Sequence, residues 1–164
     1  MSDLIQVFPV DGPAWYDDWH EAMRGTVRHH AQDLFAPRGT RVVAPARMMV
    51  EGVGVGTRAG LYVYARNRSV LYYFSHLQRT WAKKGQWLEA GQAFAEVGDS
   101  GNAADTRPHL HFAVRVDGRP VNTYPWLVAL QPPGPSGIRE APEDTGPPPE
   151  ILDRDPLGGG ADGC

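Results

Sequence analysis

Any acid–base or metal chemistry in this chain rests first on its six histidines, at positions 20, 29, 30, 76, 109 and 111. Their surroundings differ sharply. His109-Leu110-His111-Phe112 opens a run, Phe112-Ala113-Val114-Arg115-Val116, that reads as a strand. Residues i and i+2 of a strand face the same way, so His109 and His111 stand side by side, about 7 Å apart along one face. Leu110 and Phe112 then turn to the core. A polar surface pair would use the same His-x-His spacing. His29 and Asp33 are four residues apart, and a bend between them would bring imidazole nitrogen and carboxylate oxygen onto one ion. Both atom types are accepted zinc ligands at about 2.0–2.2 Å. The plainer reading of that segment is a charged loop. His30 cannot easily face the same way as His29 and is read as a non-ligand. His76 follows Tyr72-Tyr73-Phe74-Ser75 at the end of a predicted strand, where an ordinary edge residue would also fit.

Two histidines and Asp33 make three protein ligands and leave the fourth position of a tetrahedral zinc open. That is the pattern of a catalytic zinc, since structural sites are closed by four ligands. His76 and His109 then remain for acid–base or charge-stabilising work. The single cysteine, Cys164, is the last residue, which excludes an internal disulfide and any cysteine-based zinc site.

The elements that must position these residues read as short strands. Arg41-Val42-Val43-Ala44 follows the turn Pro37-Arg38-Gly39. Leu61-Tyr62-Val63-Tyr64-Ala65 and Val70-Leu71-Tyr72-Tyr73-Phe74 are rich in β-branched and aromatic residues, with Asn67-Arg68-Ser69 as the turn between them. Asp117-Gly118 is a strong hairpin signal after the strand 112–116. Glycines at 52, 54, 56, 60, 85, 91, 98 and 101 read as punctuation between elements. Leu77 to Trp87 has room for one helical turn at most, and Pro125-Trp126-Leu127-Val128-Ala129-Leu130 reads as a short helix with Pro near its start. Gly85-Gln86 and Gly91-Gln92 look like two turns around a short strand. The fold class expected is all-β, a sandwich or open barrel of short strands with few short helices.

Composition divides the chain. Of its 164 residues, 131–164 hold eight Pro and seven Gly, and two arginines there face seven acids, a net of −5. Residues 1–130 carry 14 basic and 12 acidic side chains, a net of +2. The reading is one domain over 1–130 and a disordered, acidic Pro/Gly-rich tail over 131–164. Near-neutrality of the front gives no electrostatic footprint for nucleic acid. No apolar run approaches the roughly 18 residues of a membrane span. The N-terminus lacks the basic and apolar regions of a secretory signal.

In order, the chain reads Phe8-Pro9-Val10, then Arg28-His29-x-x-x-Asp33-Leu34-Phe35-Ala36-Pro37-Arg38-Gly39-Thr40, then Val42-Val43-Ala44. It continues with Tyr73-Phe74-Ser75-His76-Leu77, Val97-Gly98-Asp99-Ser100-Gly101 and Pro108-His109-Leu110-His111-Phe112. Over about residues 7–127 this combination resembles the LytM/lysostaphin-type zinc metallopeptidases, the M23 family. The resemblance implies a mostly antiparallel β fold with a metal-binding groove over the sheet. It implies that His29, Asp33 and His111 bind one zinc ion and that His76 and His109 are the catalytic histidines. The activity implied is hydrolysis of peptide bonds in peptidoglycan stems or cross-bridges, in the periplasm or cell envelope. The alternative is a non-catalytic module of the same fold that binds cell wall or regulates a partner.

Three departures from the family pattern stand out. Ala31 replaces the usual Gly two residues after the first ligand, a strained choice if the backbone there takes a positive φ. Ala113 stands where Glu often follows His-x-His-Phe, and 104–107 lacks the usual Gly. The expected chemistry is a zinc-activated water, its pKa lowered toward 7. His109 serves as general base and His76 as a hydrogen-bond donor to the oxyanion, roles the sequence allows to be exchanged. Tyr72, Tyr73, Phe74 and Trp81 read as core and rim, and Trp15, Tyr16, Trp19 and Trp81 as candidates to line a substrate groove.

Overall fold

Among the described residues, nine strands form one antiparallel sheet, which carries the main core on one face and His76, His109 and His111 on the other. The computed structural model describes residues 4–16, 23–24, 27–28, 30–101, 104 and 107–134. The strands are β1 (Met23–Arg24), β2 (Val27–Arg28), β3 (Gln32–Phe35), β4 (Arg41–Val43), β5 (Met48–Gly56) and β6 (Gly60–Asn67). They continue as β7 (Val70–Thr80), β8 (Trp87–Leu88), β9 (Ala93–Val97), β10 (His109–Val116) and β11 (Arg119–Pro120), followed by the helix α1 (Tyr124–Leu130). The main path runs β11-β10-β7-β6-β5-β8; β3 joins it at β10, and β9 joins at β7 and carries β4. Among the described residues, β1 and β2 pair with each other in a separate two-stranded sheet.

Local chemistry sets the hairpins. β6 and β7 close at Asn67↔Val70 around Arg68-Ser69, with Arg68 at φ 54°. β10 and β11 close around Asp117 and Gly118, both at positive φ, the tight turn that Asp-Gly favours. Turns at 84–85 and 90–91 flank β8, and the helix takes Pro125 in its first turn.

Two elements differ from the sequence reading. The glycines at 52, 54 and 56 do not separate elements; they lie inside the nine-residue strand β5. Gly52 stands opposite Tyr64, and a Cβ there would fall 2.3 Å from the Tyr64 ring, so the missing side chain makes room for an aromatic neighbour. β7 is also longer than expected. It runs on through His76 to Thr80, where the sequence suggested an end at Ser75 and room for a helical turn beyond.

The main core holds Val42, Met48, Val50, Val63, Phe74, Phe94, Leu110, Phe112 and Leu127, all essentially without exposed surface. Phe74 sits between Phe94, 4.9 Å away edge-on, and Phe112, 5.5 Å away. The N-terminal segment closes over this core, with Gln6 and Val7 N–H groups donating to the Pro45 carbonyl. The C-terminal end is tied in beyond residue 130: Gln131 Nε2 donates to the Gly12 carbonyl, and Gly134 N–H to that of Ala14. The proposed tail from residue 135 onward lies outside the described residues.

Tyr72 is buried in the same core and donates its hydroxyl proton to the Leu4 carbonyl at 2.7 Å. Burial pushes its phenol up from 10.0 to about 12. The folded chain therefore favours the neutral phenol. That contribution to stability is complete below pH 10 and is lost as pH rises from there toward about 12. Tyr72→Phe is expected to cost about 1 kcal/mol at neutral pH and to flatten the fall in stability across that window. Urea unfolding midpoints from pH 8 to 12 for both chains check this.

Candidate active site

Three strands bring the chemistry-bearing residues together. β10 pairs with β3 on one side and β7 on the other, so His111 lies opposite both Asp33 and Ser75. Directly opposed residues share a face with their Cβ atoms about 5 Å apart. His109 lies opposite Phe35 and belongs to the same face. All four polar groups are buried: Asp33 is 7% exposed, His109 6%, and His76 and His111 0%. His111 Nδ1 is 3.2 Å from Asp33 Oδ1, and His109 Nε2 is 3.9 Å from the same oxygen. The His76 ring meets those of His109 and His111 edge-on, with centroids 5.1 and 5.8 Å apart.

His76 enters this cluster through an irregularity. The β6–β7 register shifts between Leu61 and Val63, and the β7–β9 register between Leu77 and Arg79. His76 has φ 61°, the left-handed region that costs a non-glycine residue of order 1–3 kcal/mol. Its N–H donates to the Ala59 carbonyl at 2.9 Å, which holds the turn.

Two ring nitrogens have fixed protonation. His76 Nδ1 lies 2.8 Å from the Ser100 carbonyl oxygen, and His109 Nδ1 lies 2.9 Å from that of Arg107. A carbonyl only accepts, so each Nδ1 carries a proton and each Nε2 holds the lone pair of the neutral ring. Both histidines are thus set to take up a proton at Nε2. For His76 to donate from Nε2, its ring must be the imidazolium.

Asp33 is in a strand, whereas the sequence read its segment as a bend or loop. His29 and His20 lie outside the described residues. Among the described residues no three His, Cys, Asp or Glu side chains converge as a metal site. The two ligand candidates that are described suit a zinc ion nonetheless. Two donors on a tetrahedral zinc with bonds near 2.0–2.1 Å stand about 3.3 Å apart; Asp33 Oδ1 and His111 Nδ1 are 3.2 Å apart.

Sequence reasoning gave Tyr73 only as core or rim and gave Ser75 no role. Tyr73 stands edge-on to His111 with centroids 6.1 Å apart, in a layer with Tyr62, Ala31, Ala59 and Ala113 that Tyr64 flanks. Ser75 is 1% exposed, and its hydroxyl has no hydrogen-bond partner among the described residues. Alternation along Tyr73-Phe74-Ser75 was the available signal, since Phe74 faces the opposite core. The aromatic candidates separate. Trp15 packs on Phe35, 5.8 Å away, and Phe35 on His109, 4.9 Å away. Tyr16 is buried beside Phe8 and Tyr124. Trp81 is 40% exposed under the Arg41 guanidinium, and Trp19 lies outside the described residues.

The alanine departures pack without backbone strain. Among the described residues only Arg68, His76 and Asp117 are non-glycines at positive φ, so Ala31 carries no such cost. The methyl groups of Ala31 and Ala113 are buried in the tyrosine layer. A tighter constraint lies at Gly98, whose carbonyl accepts from the His109 N–H at 3.1 Å. A Cβ at Gly98 would stand 2.5 Å from the Gln78 nitrogen. Gly98→Ala is expected to cost about 1–3 kcal/mol, read as a lowered thermal midpoint, because backbone must shift to admit the methyl.

The described residues thus form an open antiparallel sheet with a buried Asp/His cluster on one face. The chain belongs to Peptidase family M23, which it matches over residues 27–123. It is 34% identical over 134 residues to the peptidoglycan DD-endopeptidase ShyA of Vibrio cholerae, a match covering 74% of this chain and 30% of that protein. It is 29% identical over 126 residues to the murein hydrolase activator EnvC of Escherichia coli, covering 73% and 28%. The crystal structure of a zinc-containing peptidase from Vibrio cholerae superposes with a TM-score of 0.64 at 29% identity, over 73% of this chain and 39% of that one. The chain spans less than a third of the length of either curated relative.

Proposed function

We propose that this chain is a zinc-dependent endopeptidase that hydrolyses peptide bonds in peptidoglycan stems or cross-bridges. The observation that carries this reading is the pairing of a zinc-compatible Asp33–His111 donor separation with two histidines whose Nδ1 protons are tied to carbonyls. His29, Asp33 and His111 would hold one zinc ion. When bound, zinc polarises the scissile carbonyl and lowers the pKa of a bound water toward 7. His109 accepts a proton at Nε2, and the Arg107 carbonyl steadies the resulting imidazolium through Nδ1–H. The same ring returns that proton to the leaving amine. His76, as imidazolium, donates from Nε2 to the oxygen that gains charge while Ser100 fixes its other nitrogen. The reading places catalysis in residues 1–130, gives 131–164 no part in it, and sets the site of action in the periplasm or cell envelope. Peptidoglycan peptides are the partner it requires.

A second reading, a non-catalytic cell-wall-binding or regulatory module, is favoured by the likeness to EnvC, which is named as an activator. Four potential site residues stand against it, because Asp33, His76, His109 and His111 gather at one buried point. Zinc analysis combined with mass spectrometry of digested peptidoglycan separates the two. The peptidase reading expects one zinc per chain and new amino and carboxyl termini that vanish on chelation and return with zinc. Stoichiometric zinc with intact peptidoglycan would establish the module.

A further inference from the structure

We infer that Ser100, anchored through Asp99 and Arg38, is the positioning device for His76, an inference that rests on the proposed catalytic role of that histidine. The device is built at the place where β7 changes neighbours. Leu61 and Leu77 are opposed across the β6–β7 register shift. The Ser100 hydroxyl lies between them, accepting from the Leu61 N–H at 3.0 Å and donating to the Leu77 carbonyl at 2.8 Å. One side chain thereby satisfies two ladder groups on either side of the irregularity. The carbonyl of the same residue accepts from His76 Nδ1 at 2.8 Å. Ser100 thus holds both the backbone after His76 and the ring of His76.

Ser100 is itself held from the preceding residue. The Asp99 carboxylate takes a two-pronged contact from Arg38, 2.6 and 2.7 Å to its two oxygens. These side chains are only 12% and 22% exposed, so the pair is stronger and more directional than a surface ion pair. Arg38 sits in a turn pinned to β9, with Gly39 N–H donating to the Val97 carbonyl and Val97 N–H to that of Thr40, both at 2.9 Å. Arg38 also reaches Gln78 Oε1 at 3.5 Å, two residues beyond His76. A chain of contacts therefore runs from the 37–40 turn through Asp99 and Ser100 to the His76 ring. None of its members lies among the proposed metal ligands.

Its function is to choose a tautomer and a direction. With the Ser100 carbonyl in place, the neutral His76 ring keeps its proton on Nδ1 and aims Nε2 away from that carbonyl. With the loop displaced, the ring can carry its proton on either nitrogen and turn about its side-chain bonds. Displacements of about 1 Å at a reacting group cost on the order of 10²-fold in rate.

The test uses the zinc-loaded full chain, soluble cross-linked peptidoglycan peptides and 15N spectra of the ring nitrogens. Ser100→Ala and Asp99→Asn are expected to lower kcat by about ten- to a hundredfold, with KM within about twofold and zinc content unchanged. Ser100→Thr, which keeps the hydroxyl, is expected to recover most of the loss. The wild-type His76 spectrum should show Nδ1 protonated in both the neutral ring and the imidazolium, with Nε2 protonated only in the imidazolium, and both variants a mixture of neutral tautomers. Should Ser100→Ala not fold, Asp99→Asn carries the test with Ser100 intact. Unchanged kcat and an unchanged tautomer in a folded variant would overturn the inference, even if its thermal midpoint falls. If the wild type cleaves no peptide, the peptidase reading fails, while the ring spectra still decide whether Ser100 positions His76.

Discussion

His111→Ala is expected to abolish zinc binding and peptide hydrolysis together. His111 is fully buried, and its Nδ1 faces Asp33 Oδ1 at a separation suited to two donors on one ion. Removing the imidazole takes away a ligand and leaves the Asp33 carboxylate facing a void. Loss of several kcal/mol of charge stabilisation corresponds to more than a 10³-fold fall in rate. The void also destabilises the fold, so Asp33→Asn is the needed companion: it keeps the volume and removes the charge. Zinc content per chain is the first measurement. The second needs no substrate: the wild-type thermal midpoint should rise with added zinc, as expected when a ligand binds only the folded state, and both variants should show no rise. A His111→Ala chain that keeps stoichiometric zinc would remove His111 from the ligand set.

His76→Ala and His109→Ala are expected to behave in the opposite way, keeping zinc and losing turnover. A positioned general base contributes about 10²–10⁴-fold, and one donor to a developing oxyanion about 10²–10³-fold. Both rings present Nε2 because Nδ1 is committed to a backbone carbonyl. The changes should therefore appear in kcat far more than in KM, with the zinc-induced thermal shift retained. His109→Ala also removes the packing on Phe35, so its stability should fall further than chemistry alone implies. If the His76→Ala apoprotein cannot take up zinc, the division between ligand and catalytic histidines is wrong.

The all-β class and the hairpins at 67–70 and 117–118 were legible because turn chemistry and β-branched runs are local signals. So was the shared face of His109 and His111, which follows from strand alternation alone. What stayed hidden depends on pairing between distant segments. Asp33 meets His111 across 78 positions of chain, and nothing near Asp33 announces β3. The run of glycines at 52, 54 and 56 reads as a breaker, yet Gly52 is compatible with a strand once Tyr64 lies over it. His76 was placed at the end of a strand because a φ of 61° in the middle of one has no signature in composition. Whether Ala31 is strained was likewise a question about one dihedral angle, and the backbone answers it.

The change of neighbours in β7 has a bearing on the order in which this protein comes to life. His76 is oriented by Ser100, 24 residues later, and the loop bearing Ser100 is pinned to Arg38, 61 residues before Asp99. The candidate ligand pair needs β10, near the C-terminal end of the sheet. Contacts so distant in sequence form late, because each must first overcome the entropy of closing a long loop. Early strands such as β5 and β6 can pair while the histidines are still scattered. On the proposed reading, an incompletely synthesised or partly unfolded chain would lack the assembled site, and hydrolytic competence would arrive with the completion of folding.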